Sequence, residues 1–159
     1  MPQLALYQPD IAQNTGTLLR LCACLGTTIH VIGPTGFDLS DRALRRAGMD
    51  YIEQATLVRH IGWAAFLDRI AAERRRIVLA TTRAAAPYSA FDFKADDVIL
   101  LGRESAGVPE TVHERADARI RVPMRPGLRS INVSLSGAMI LGEALRQTGG
   151  FPASEDVTT

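Results

Sequence analysis

The 159 residues are 47% hydrophobic and 22% charged, the makeup of one globular domain; the length is too short for two comfortable ones. With 18 Lys and Arg against 17 Asp and Glu the net charge is +1, which excludes binding of nucleic acid by bulk charge; any such contact must come from local patches, or from patches joined across an oligomer. No apolar run nears about 18 residues and no secretory leader is visible, so the expectation is a soluble cytoplasmic protein with no membrane segment.

In chain order, residues 3–7 read as a strand that Pro9 and Asp10 break. Asn14 is placed to cap a helix that runs to about Leu25 and stops at Gly26. Leu18, Leu21, Cys22 and Leu25 form its buried face, and Arg20 points off that face. Residues 28–32 form a second strand, in which His30 reads as structural or surface. After a loop with Gly33, Pro34 and Gly36, Ser40 and Asp41 open a short helix carrying Arg42, Arg45 and Arg46. Those arginines suit either a solvated face or a grip on phosphates. Residues 54–58 are a weak strand, and residues 61–75 an amphipathic helix with Trp63, Phe66, Leu67 and Ile70 inward. The run Arg74, Arg75, Arg76 suits the negative end of that helix.

Residues 77–82 are a buried strand and residues 83–94 a loop. The apolar run at residues 98–101 is a strand covered on both faces. Gly102 and Gly107 bracket the loop that follows, and a loop after a buried parallel strand is where open α/β sheets place ligands. β structure restarts at residues 120–122 and stops at Pro123; Pro126 and Gly127 turn the chain between Arg125 and Arg129. Ser130 reads as the cap of a closing helix that reaches Gln147. On that helix Ser134, Ala138 and Gly142 share one face, a stripe that suits tight packing or the approach of another backbone. The whole reads as an α/β fold, a mostly parallel sheet with helices on both faces, in a single domain at residues 1–148 with a short polar tail at 149–159.

Several chemistries are excluded. Cys22 and Cys24 are two apart on a helix and point in different directions, while His30, His60 and His113 are scattered, so no metal site is expected. GRESAG, residues 102–107, lacks the Lys-Ser/Thr ending of a phosphate loop and is not GxGxxG, and there is no nucleophile elbow and no HExxH.

Three stretches carry a family resemblance: NTGTLLR at residues 14–20, LGRESAGVP at 101–109 and RSINVSLSGA at 129–138. In order and spacing they resemble the three motifs of the SPOUT class of RNA methyltransferases, and are most similar to the small single-domain group that 2′-O-methylates the wobble nucleotide of tRNA. The resemblance covers nearly the whole chain. It implies a C-terminal trefoil knot, S-adenosylmethionine as methyl donor, tRNA as substrate and a homodimer. Periodicity does not show the knot, and the general rule against threaded loops argues the other way.

Residue by residue, the resemblance implies that main-chain groups at Ala80, Gly102 and Val122, with Ser130, hold the cofactor. Arg20 and Asn132 become the catalytic positions. An arginine is effectively never neutral, so Arg20 fits the orientation of ribose or phosphate and stabilisation of the developing oxyanion rather than proton abstraction. Asn132 and Ser130 are the polar candidates to accept or relay the proton, and Glu104 suits either a cofactor contact or a turn cap. Arg121, Arg125 and Arg129, with Arg42, Arg45 and Arg46, are the candidate RNA contacts. Two other functions remain open: a methyltransferase of the same fold acting at another tRNA position or on rRNA, and a non-catalytic S-adenosylmethionine-binding dimer.

Overall fold

Apolar strands separated by helix-length segments can all run the same way, because each connection returns the chain to the starting edge of the sheet. The computed structural model describes residues 1–46 and 53–153, the side chains of Arg45 and Arg46 excepted. Among these residues lies one sheet of β1 (Gln3–Tyr7), β2 (Ile29–Ile32), β3 (Leu57–His60), β4 (Arg76–Ala80), β5 (Asp97–Leu101) and β6 (Ala118–Ile120). Its order is β3-β2-β1-β5-β4-β6, and every pairing is parallel. The helices are α1 (Ala12–Leu25), α2 (Asp41–Arg46), α3 (Trp63–Ala72), α4 (Glu110–Arg115) and α5 (Val133–Thr148). Among the described residues no helix is long and apolar enough to cross a membrane.

Strand side chains alternate between two cores. Leu4, Leu6, Ile99 and Leu101 pack with Leu18 and Leu19 of α1 and with Ile140, Leu141 and Leu145 of α5. Ala5, Tyr7, Val98 and Leu100 pack on the other face with Phe66 and Ile70 of α3 and Val112 of α4. Helices therefore cover both faces, as expected. Gly137 lets α5 lie close: a Cβ there would stand 2.7 Å from Leu101 Cδ1 and 3.0 Å from Leu18 Cδ2. At the far end of α5, Gln147 accepts the Phe93 N–H at 2.9 Å and donates to the Phe91 carbonyl at 3.0 Å. Beyond it, Gly150 lies beside Met1, whose Cγ would be 3.7 Å from an added Cβ.

Several expectations need correction. Asn14 does not cap α1; the helix starts at Ala12, and Asn14 is buried in its first turn. Ser130 does not cap α5; Asn132 does, accepting from the backbone of Ser134 and Leu135. Arg76 is not a helix-end charge. It opens β4 and pairs with the fully buried Asp97 through two contacts, at 2.6 and 2.8 Å. Of the two readings of His30, structural or surface, the structural one holds: it is fully buried and bonded to His60 and Gln3, each at 2.8 Å. Strand β3 lies at Leu57–His60, later than residues 54–58, and β6 ends at Ile120 rather than 122. The 83–94 loop contains a 3₁₀ turn, Tyr88–Ala90, and its Pro87 bridges to Arg121.

Candidate active site

The strand order reverses between β1 and β5, and the crevice beyond the carboxyl ends of such strands is where open α/β sheets bind ligands. A cavity of about 440 Å³ opens there, within the range of small-molecule sites. The end of β4 contributes Ala80 and the turn after it Thr81, the loop after β5 Gly102 to Glu104, and the stretch after β6 Val122 and Met124. Ser130, Ile131 and Asn132 close it ahead of α5, and Asn14 reaches it from α1. Five sequence-predicted positions, Ala80, Gly102, Val122, Ser130 and Asn132, thus share one cavity although up to 52 residues separate them.

The loop after β5 is shaped by its glycines in two ways. Arg103 and Gly107 exchange both backbone hydrogen bonds at 2.9 Å, which pinches the loop. Gly107 has φ +64°, a region open chiefly to glycine. Gly102 instead lies so close to Gly107 that a Cβ would stand 2.8 Å from its Cα and carbonyl carbon. Gly102 is required by close approach of backbone to backbone, and a positive φ is not the reason.

Polar side chains on the rim are linked. Asn132 Oδ1 accepts from Ser134 N at 2.9 Å and from the Ser134 hydroxyl at 2.6 Å, and its Nδ2 donates to Asn14 Oδ1 at 3.0 Å. Asn14 Nδ2 donates to Glu104 Oε1 at 3.4 Å, and the Asp10 N–H donates to Glu104 Oε2 at 3.0 Å. The Ser105 hydroxyl donates to the Asp10 carboxylate beside it. Sequence reasoning missed this linkage because it gave Asn14 and Ser130 to helix caps. Asn14 opens the first motif and Glu104 lies inside the second, which was the available signal. With its oxygen filled by donors, Asn132 is a donor toward the cavity and not a proton acceptor.

The predicted arginines are dispersed. Arg20 is exposed on α1 and is not among the cavity-lining residues. Arg121 donates to the Ala85 carbonyl at 3.3 Å, while Arg125 and Arg129 are exposed on the loop that leads to α5. Arg42 is exposed on α2; the side chains of Arg45 and Arg46 lie outside the described residues. Among the described residues no cluster of His, Cys, Asp and Glu could hold a metal ion.

Comparison with known proteins bears on this geometry. The model of the SpoU rRNA methylase family matches residues 1–142. The tRNA (cytidine(34)-2′-O)-methyltransferase of Ancylobacter novellus is 62% identical over 148 residues, covering 93% of this chain and 94% of that protein. A solved structure concerned with 2-OH methylation of C/U34 on tRNA superposes with a TM-score of 0.85 at 38% identity, covering 92% of this chain and 95% of the other. An AdoMet-bound rRNA methyltransferase from Sinorhizobium meliloti superposes with a TM-score of 0.77 at 26% identity, covering 91% of this chain and 56% of that one. A parallel sheet with its cavity at the reversal of strand order, three motifs gathered around that cavity and a family match across most of the length have one reading: the chain belongs to the SpoU methylase family.

Proposed function

We propose that this chain transfers a methyl group from S-adenosylmethionine to the ribose 2′-OH of the tRNA wobble nucleotide, cytidine or modified uridine. The observation that carries the reading is the convergence of Ala80, Gly102, Val122, Ser130 and Asn132 on one cavity. The 62%-identical relative named for that reaction supports the substrate.

The cavity fits the donor. Its volume suits a molecule of that size, and its wall at Gly102 and Gly107 admits a ligand to the main chain where no side chain fits. When bound, S-adenosylmethionine supplies an activated methyl carbon on a sulfonium. The chain's own task is then alignment and exclusion of water. Backbone groups at Ala80, Gly102 and Val122 hold the adenosine, and Ser130 closes the rim. Ser130, at the rim, would take up and pass on the proton that the ribose 2′-OH must lose on methylation. Arg20 orients the ribose phosphate and stabilises the oxygen.

Arg20 is absent from its own cavity wall, and a homodimer resolves this by bringing it to the partner's cavity. Supporting a dimer are the exposed apolar side chains Leu135 and Met139 on α5 and Ile11 at the start of α1, which are 58%, 42% and 45% exposed. The helices α1 and α5 are the proposed interface. A trefoil knot at the C-terminal end is part of the reading, supported by the family match over residues 1–142. A single domain at 1–148, a polar tail at 149–159, RNA contacts from Arg42, Arg45, Arg46, Arg121, Arg125 and Arg129, and a cytoplasmic location complete it.

Labelled S-adenosylmethionine and bulk RNA from a strain lacking the gene test the proposal. Label on the 2′-oxygen of tRNA nucleotide 34 is the expected result. Label confined to rRNA or to another tRNA position would overturn the substrate, and no transfer with cofactor bound would overturn the enzyme.

A further inference from the structure

The direction of the Asn132 amide is fixed by chemistry. One end meets the N–H of Ser134 at 2.9 Å and the N–H of Leu135 at 3.4 Å, and backbone N–H groups only donate, so that end is the oxygen. Its Nδ2 therefore faces Asn14, 3.0 Å away, where the atom it meets must be an acceptor. That leaves Asn14 Nδ2 facing Glu104 Oε1 at 3.4 Å. The line runs one way, from the N-terminus of α5 through two carboxamides to a carboxylate. Glu104 is the one carboxylate among the residues lining the cavity, and the Asp10 N–H holds its other oxygen at 3.0 Å. Each Nδ2 carries a second N–H that this line does not use, and both asparagines line the cavity.

We infer that Glu104 is a positioning residue for methyl transfer: its carboxylate holds Asn14 so that Asn14 Oδ1 stays turned toward Asn132, whose second N–H then faces the reacting ribose. The inference rests on the cavity being the reaction site. Donors fixed in advance stabilise charge on a reacting oxygen without reorganising during the step. The backbone N–H groups of Ser134 and Leu135 set Asn132, and an acceptor-only group at the other end keeps Asn14 Oδ1 turned toward it, since a carboxamide there could present either end.

Polarity can be tested by exchange. In Glu104→Gln, the Asp10 N–H holds the glutamine oxygen, so its NH₂ meets Asn14 Nδ2 and two donors collide. In the double variant Asn14→Asp with Glu104→Gln, the glutamine NH₂ donates to the new carboxylate, which also accepts Asn132 Nδ2. Every bond is made again and Asn132 keeps its direction. Single-turnover methylation of bulk tRNA is compared for wild type, both single variants, the double variant and Asn132→Ala, with cofactor affinity and melting temperature alongside.

Glu104→Gln should slow turnover by about 10–100-fold, part of what losing a whole oxyanion donor does, with KM for tRNA and cofactor affinity nearly unchanged. The double variant should be at least about tenfold faster than Glu104→Gln and than Asn14→Asp, a gain that mere loss of packing does not give. A double variant no faster than the singles overturns the inference, as does wild-type turnover in Glu104→Gln while Asn132→Ala is slow. Wild-type turnover in Asn132→Ala overturns the reading of the cavity itself. If Glu104→Gln fails to fold, the double variant against Asn14→Asp decides, and equal rates count against the relay.

Discussion

His30 Nδ1 lies 2.8 Å from His60 Nε2, and the two rings stack with centroids 5.1 Å apart beneath α3. On its other side His30 Nε2 meets the Gln3 amide oxygen at 2.8 Å, so it carries its proton there and Nδ1 accepts from His60. Burial, and then the neighbouring His60, push His30 down to about 4, and burial chiefly lowers His60 as well. An unfolded histidine titrates near about 6.5, so below that pH the unfolded chain binds more protons than the folded one. The stability held by the neutral pair is complete above about pH 6.5 and is lost as pH falls toward about 4. The expected slope approaches about 1.4 kcal/mol per pH unit for each proton. Urea melts at pH 7.5, 6 and 5 measure it. A His30→Gln variant should be less stable at pH 7.5 but show a shallower slope, and an unchanged slope would remove the pair as the cause.

Gly102→Ala should damage the cofactor site more than the fold. Its Cβ would stand 2.8 Å from the Gly107 backbone and force the pinched loop open. Overpacking of this kind costs about 1–3 kcal/mol, and β5 ends before the loop, at Leu101. Calorimetry should show at least a tenfold loss of S-adenosylmethionine affinity in a protein that still melts cooperatively. Full affinity would move the cofactor elsewhere.

Arg20→Ala separates binding from chemistry. The residue is exposed on α1, so stability should change by no more than about 0.5 kcal/mol. Cofactor affinity should hold, because the groups proposed to hold the adenosine are at Ala80, Gly102 and Val122. Turnover should fall by about 10²–10³-fold, with poor rescue by lysine, whose ammonium lacks the planar fork of a guanidinium. Near wild-type methylation would make it an ordinary surface arginine.

Three adjacent arginines should respond very differently to alanine. Arg76 holds both oxygens of Asp97, which is 0% exposed, and its guanidinium carbon lies 5.1 Å from the centre of the Phe91 ring. Removing it leaves a buried carboxylate without its counter-charge, at a cost of about 3–5 kcal/mol. Arg74 is exposed, and its loss should stay within about 0.5 kcal/mol. Arg75 should fall between, because it pairs with Glu73 at 2.8 Å on a partly open surface. Chemical denaturation of the three variants checks the order.

Much of this architecture was legible from periodicity. The apolar run that became β5 announced a strand covered on both faces, and Trp63, Phe66 and Ile70 announced the inward side of α3. Helix starts were harder to read. Ser130 and Asn132 are both good capping residues two positions apart, and local composition does not say which one the tertiary fold will use. Long-range pairing was out of reach for the same reason. Nothing near Asp97 in sequence says that Arg76 will hold it, and nothing near Glu104 says that Asn14 will turn toward it. Five positions that line the cavity were legible because three motifs resemble a family, whereas the hydrogen bonds among its polar groups required the fold.

The proximity of Gly150 to Met1 has a practical bearing. Strand β1 starts beside Met1, and the cavity lies where that strand's neighbours end, so both described ends of the chain leave from the side of the sheet turned away from the site. A fluorescent group or surface anchor attached at Met1 or Gly150 sits clear of the cavity mouth.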